Sequence, residues 1–307
     1  MSSVGGSLIS GSGLAVLAML GSATVAIAQT KPADNIGAAV PTKPAPKKLI
    51  PGPKLSAPPD AATLSKPHNG VDPAAAQNPI SNMISIPFQN NTNFLAGPHR
   101  HTQNVLLIQP VIPFHLNSDW NLVTRWITPV ISQPRISPSQ SAEFGLGTLQ
   151  PQFYLVPSHT GSFLIGLGPQ FQLPTATDHM LGVNKWGAGP ALAALTIHGP
   201  WVIGVLANNM WAGSEGPRVN KLTLNPFINY NMAGGWYLSS APVMTADWLS
   251  RSSDRWTIPI GGGIGRVFKF NDQPINARVQ VFHNVARPAG AAKWTLQMQV
   301  QFLFPKT

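Results

Sequence analysis

Two arginines, Arg125 and Arg278, stand in the middle of segments otherwise built from apolar and amide side chains. A permanent cation in such surroundings has two chemical uses. It can raise the local concentration of anions in a narrow passage, or it can be held by Gln, Asn and Tyr neighbours and brace a wall. Residue type leaves both uses open. Amides recur at alternate positions around them: Gln150, Gln152 and then Tyr154; Gln170 and Gln172; Asn225; Gln280; and Gln297, Gln299 and Gln301. Together with the arginines, these are the side chains expected to line an interior. Lys221 and Asp247 lie near segment ends and read as rim charges.

Other chemistry is thinly supported. His99 and His101 could give a metal two ligands, but no third His or acid follows at suitable spacing and Arg100 stands between them, so a solvated loop is expected and no metal is assigned. Gly261-Gly262-Gly263-Ile264-Gly265-Arg266 has the glycines of a phosphate cradle without a following helix pattern, and reads as close backbone packing or a bend. For ester hydrolysis the hints are His283-Asn284 and the run His159 to Ser162. Neither is a nucleophile elbow, so no catalytic residue is assigned; Asp178-His179 reads as a polar loop. With no cysteine in 307 residues, thiol nucleophiles, disulfides and Cys-based metal sites drop out, and no cofactor is expected.

The elements that must carry these residues follow from patterning. Only 10% of the chain is charged, against roughly 25% in soluble proteins. From Ser81 onward apolar and polar residues alternate. In the last segment Trp294, Leu296, Met298, Val300, Phe302 and Phe304 share one face and Thr295, Gln297, Gln299 and Gln301 the other. A soluble sheet would place charge on its wet face, whereas this polar face is amide, which suggests an enclosed aqueous lumen. The pattern predicts an all-β transmembrane antiparallel barrel of twelve strands at about 83–94, 102–114, 120–131, 147–155, 163–173, 186–196, 201–211, 221–230, 236–248, 255–267, 274–286 and 293–304. Short turns alternate with longer loops. Trp120, Trp201 and Trp236 fall just after turns, and Trp186, Trp211, Trp248, Trp256 and Trp294 near loops, as two membrane interfaces would select. An all-helical membrane body is excluded by the prolines that interrupt its long uncharged stretches, Pro151, Pro157, Pro169 and Pro174 between Phe144 and Thr177 and Pro190 and Pro200 between Trp186 and Gly213. Pro87, Pro110, Pro129, Pro226, Pro242 and Pro259 fall inside the expected strands, where a continuous ladder would not accept them.

Before the strands lie two further regions. Residues 1–28 read as a signal peptide, with an apolar stretch from Gly13 ending in Ala26-Ile27-Ala28, although Met1 to Ser12 holds no Lys or Arg. Residues 29–78 read as a disordered, periplasmic, Pro/Lys-rich spacer; 29–70 hold nine prolines and six lysines against two acids. That basic segment is a passive tether or a contact to anionic envelope material. It lacks interleaved aromatics, so the overall charge of +10 does not argue for nucleic acid.

Several segments resemble one bacterial family: QNNTNF from Gln89, Thr102 to Ile131, Gly168 to Pro190, Gly235 to Trp248, Arg255 to Lys269 and Val300 to Lys306. They are similar to the outer-membrane barrels often labelled "neuromedin U" and to the barrel family associated with the meta-pathway of phenol degradation. The resemblance covers Asn78 to Lys306 and leaves out the spacer. It implies a transport role, for small apolar or aromatic compounds, and brings no catalytic residues. The family has an acid after Gly-Leu-Gly where this chain has Thr148, and the final aromatic, Phe304, is followed by three more residues.

The resulting expectation is a barrel of residues 79–307 in the outer membrane of a Gram-negative bacterium, bounded by lipid and lipopolysaccharide, acting as a channel or transporter for small solutes, whether apolar compounds or anions. The alternative is a closed structural or anchoring barrel; an outer-membrane lipase is the weakest reading. Whether the lumen is open or plugged depends on its inward side chains and on the loops at 132–146 and 174–185.

Overall fold

The computed structural model describes residues 73–304 except 98, 136–140, 160 and 214–217. Twelve antiparallel strands close into one barrel. They are β1 (Ile84–Ala96), β2 (His101–Ile108 and Val111–His115), β3 (Trp120–Gln133), β4 (Glu143–Leu146 and Gln150–Pro157), β5 (Phe163–Gln172) and β6 (Gly187–His198), followed by β7 (Trp201–Ala212), β8 (Val219–Asn231), β9 (Trp236–Ser240 and Met244–Asp247), β10 (Trp256–Phe270), β11 (Gln273–Ala286) and β12 (Trp294–Phe304). Each strand pairs with its chain neighbours, and β1 closes on β12 in unbroken register from Ile84 opposite Phe304 to Phe94 opposite Trp294. Closure leaves no free edge, the condition for spanning a bilayer with strands.

The wall is inverted relative to a soluble barrel. Leu167, Ile203, Leu238, Ile260, Val279, Val281, Met298 and Val300 point outward and are exposed. Trp126, Phe153 and Phe171 form an aromatic ladder across the outside of β3, β4 and β5, with ring centroids 6.2 and 5.9 Å apart. Exposed Trp120, Trp201 and Trp236 ring the short-turn end and Trp186, Trp211, Trp248 and Trp294 the loop end. This is a membrane-facing surface.

The prolines find their explanation in the ladder. Pro110 and Pro242 occupy the interruptions of β2 and β9. Pro87 faces the first interruption, where its carbonyl accepts from the Gln109 amide, and Pro226 lies across from the second. Pro129 lies opposite the interruption of β4, and Pro259 marks a register shift against β11. A residue with no N–H is accommodated where the ladder is already broken.

The expected signal peptide and the spacer through residue 72 lie outside the described residues. Residues 73–78, which composition assigned to the spacer, instead belong to a segment inside the barrel. Pro73–Ala76 forms one helical turn, and the chain from there to Met83 packs within the short-turn half of the lumen before β1 begins. Ile80 is 2% exposed against Val123, Tyr154, Val156, Leu195, Val202 and Phe227; Ala76 is 1% exposed against Tyr237, Val267 and Leu303. The segment is also tied by polar contacts: Gln77 Nε2 donates to Asn231 Oδ1 at 2.6 Å and Asn276 Nδ2 to the Ala76 carbonyl at 3.4 Å. Gly166 makes room for it, because a Cβ there would stand 3.2 Å from Ile80 Cδ1 and 3.0 Å from Val156.

Candidate functional site

Strand alternation puts all twelve residues proposed as interior on the inward face. They do not form one uniform water-filled tube. Gln152, Gln170 and Gln280 are 2%, 0% and 1% exposed, and the short-turn half of the lumen is packed with apolar side chains around Ile80. The expected amide-lined, aqueous lumen is corrected for its short-turn half: inward positions such as Val111, Val123, Val156, Leu195, Leu206 and Phe227 are apolar and serve the inserted segment.

Around and above that plug the amides form two girdles. On one side Arg125 faces Gln152 across β3 and β4, Tyr154 donates to Gln152 Oε1 at 3.0 Å, Gln152 Nε2 donates to Gln170 Oε1 at 3.1 Å, and Gln170 Nε2 donates to Asn208 on β7 at 3.1 Å. The last bond reaches past β6, where small residues, Gly189 and Ala191, leave the path open. On the other side Arg278 Nη2 donates to Gln299 Oε1 at 2.8 Å, and Gln299 stands between Arg278 on β11 and Gln89 on β1. Nearby Tyr237 donates to Asn276 Oδ1 at 2.6 Å, Asn276 Nδ2 donates to Gln301 at 3.1 Å, and Gln280 Nε2 donates to Ser239 Oγ at 3.0 Å. Gln297 Nε2 donates to Asn91 at 3.1 Å. Amides suit this role because each is both donor and acceptor, so neighbouring strands can be stitched without charge.

Between the girdles and the plug lies a cavity of about 90 Å³. Arg125, Asn225, Arg278, Gln299 and Gln301 line it, with Gln77 and Asn78 contributed by the plug. Gln150, Gln152, Tyr154, Gln170, Gln172, Gln280 and Gln297 are inward but do not line this cavity. Six further polar residues line it that were not among the expected interior side chains, Ser85, Gln89, Gln109, Asn229, Tyr237 and Asn276, although each shares the inward parity of its strand. Arg125 donates through Nη2 to Gln109 Oε1, and Asn225 Nδ2 donates to the carbonyls of Ala241 and Pro242 at 3.1 and 2.9 Å, satisfying the backbone freed by the interruption of β9. No described carboxylate pairs with either arginine. Every described acid sits in a turn, in a loop or at a strand end, Asp247 being the last residue of β9 opposite Lys221 near the start of β8.

At the loop end, residues 173–186 fold back over the start of β4. The Leu146 amide donates to Thr177 Oγ1 at 3.1 Å and the Leu149 amide to Thr175 Oγ1 at 2.9 Å; Gln172 Nε2 donates to the carbonyls of Val183 and Lys185. Thr148, where the resembled family has an acid, is buried against Gly182 and directs its hydroxyl to the Val183 carbonyl at 3.5 Å. An acid there would meet a carbonyl, so the threonine fits this loop conformation. The motifs set aside stay apart: His99 and His101 are exposed with centroids 5.9 Å apart, His283 stacks on Trp294 at 4.5 Å, and exposed His179 contacts Asp178 at 3.2 Å. Gly261–Gly263 run within β10 in close backbone packing against β11.

No family profile matches the chain, and no curated protein matches it. The chain is similar to several solved structures of outer membrane proteins. An outer membrane channel from Pseudomonas putida F1 is 15% identical, with 72% of this chain and 94% of that one covered and a TM-score of 0.54. The β domain of the Bordetella autotransporter BrkA is 13% identical over 73% of this chain and 99% of its own, with a TM-score of 0.41. Outer membrane phospholipase A from Escherichia coli is 11% identical over 74% and 93%, with a TM-score of 0.39. The first likeness is to the outer-membrane barrel fold.

Proposed function

We propose that this chain is an outer-membrane channel for small solutes, one of the barrels of the phenol meta-pathway family that its motifs resemble and that carry the label "neuromedin U". It sits in the outer membrane of a Gram-negative bacterium with its short turns and N-terminal segment in the periplasm, surrounded by lipid and lipopolysaccharide. The observation that carries this reading is the combination of an apolar outer wall with an inward row of amides and two arginines that no described carboxylate neutralises. Two cations on the inner face of an otherwise neutral wall would raise the local concentration of anions in a passage. The fold likeness to the Pseudomonas putida F1 channel supports it. We read the chain as non-catalytic: among the described histidines, His283 contacts Trp294, His99 and His101 contact each other, His179 contacts Asp178 and His115 contacts Asn121. The basic segment before residue 73 is a passive spacer or a contact to anionic envelope material.

A second reading, a closed structural barrel, is favoured by the depth at which Ile80 and Ala76 are packed. Liposome swelling separates the two. Liposomes holding the folded chain are expected to swell faster than empty ones in small neutral and anionic solutes; equal rates would favour the closed barrel.

A further inference from the structure

The cavity between the plug and the girdles holds two guanidinium groups and no carboxylate. Arg125 and Arg278 reach it from β3 and β11, with β2, β1 and β12 between them, and their hydrogen-bond partners are neutral: Gln109 and the Tyr154 hydroxyl for Arg125, and Gln299 for Arg278. Arg278 Nε is buried with no partner at all. Outside the lumen, Arg266 lies 5.0 Å from the ring centroid of Trp236 and Arg255, whose Nε is likewise buried without a partner, lies 5.4 Å from that of Trp248, both near strand ends. Two like charges sharing an enclosed space, with a free N–H donor, are the arrangement that an anion completes.

We propose that Arg125 and Arg278 form a binding site for a small oxyanion, closed on one side by residues Gln77 and Asn78 of the plug. The proposal deepens the channel reading, on which its role in passage rests. The planar guanidinium fork matches the paired oxygens of a carboxylate or phosphate. Val111, Leu206, Phe227 and Ala241 form an apolar wall of the same cavity, which selects a carboxylate carried on a short apolar body over a fully hydrated anion. A cavity of about 90 Å³ admits an acid of only a few heavy atoms while the plug is in place.

Isothermal titration calorimetry of the full chain, refolded in detergent and shown to be folded by heat-modifiable mobility, tests this with butyrate, inorganic phosphate and neutral butyramide. Butyrate is expected to bind and butyramide not to. Arg125→Gln or Arg278→Gln should each weaken binding roughly tenfold or more, the scale of a lost charge-assisted hydrogen bond. Arg278→Lys, which keeps the charge, should lose less than Arg278→Gln. Binding of butyrate alone supports the selective role of the apolar wall; equal binding of phosphate supports an oxyanion site set by charge alone. Butyramide binding as well as butyrate, unchanged affinity in both Gln variants, or no binding by folded protein would overturn the proposal. Failure of the channel reading looks different: no solute flux through a barrel that still binds butyrate.

Discussion

The ring of Tyr237 occupies the space that a side chain on Gly265 would need. A Cβ built on Gly265 would stand 2.2 Å from Tyr237 Cζ, and the ring, 1% exposed, reaches over β10 to donate to Asn276 on β11. The pair locks β9, β10 and β11 together beside the plug, since Asn276 also donates to the Ala76 carbonyl. Gly265→Ala should therefore force the ring out of its seat and cost about 1–3 kcal/mol, as overpacking does. Tyr237→Phe keeps the ring but leaves Asn276 Oδ1 without its donor, at about 1–3 kcal/mol. Urea unfolding in detergent, followed by tryptophan fluorescence, measures both; unchanged midpoints would mean that the ring is not held there.

The assignment of faces can be checked with one charge. Val279 points to lipid near the middle of β11, while its neighbour Gln280 points inward. Val279→Arg should destabilise the folded barrel by about 2–4 kcal/mol, the cost of a cation near the bilayer midplane. Refolding into vesicles across a urea series reads this directly. A neutral result would place Val279 in water.

Absence of native cysteine makes the inserted segment easy to probe. Ala76→Cys should react with a polar maleimide at least about tenfold more slowly than His99→Cys in an exposed loop, because labelling must wait for the segment to leave its site and each factor of ten corresponds to about 1.4 kcal/mol of opening. Adding Ile80→Asp to Ala76→Cys should speed its labelling, since a carboxylate cannot be buried against Val156 and Phe227. Equal rates at positions 76 and 99 would show that the segment is not seated.

Much of this architecture is legible in the sequence, because a membrane barrel writes its two faces as strict alternation. The expected strands agree with those formed to within a few residues, and Gln297, Gln299 and Gln301 fall on the inward face of β12 as their spacing requires. The prolines were legible as irregularities but not as to kind. Pro226 makes sense only once the interruption of β9 lies opposite it. The plug was not legible. Residues 73–83 have no period, carry two prolines and continue the composition of the preceding spacer, so nothing local distinguishes a tether from a segment inserted into a barrel. Nor does alternation mark where the inward face turns from amide to apolar: Phe227 and Leu206 look like ordinary membrane-facing residues until Ile80 is placed against them.

Single-channel recording in planar bilayers decides whether a passage runs through this barrel and is occupied by its own N-terminal segment. The chain with its native plug should show small or rare conductance steps. Ile80→Asp, and a second variant lacking residues 73–80, should each show larger and longer-lived steps, biased toward anions across a salt gradient while Arg125 and Arg278 are present. Equal conductance in all three would contradict the plug, and silence from both folded variants would contradict the passage itself.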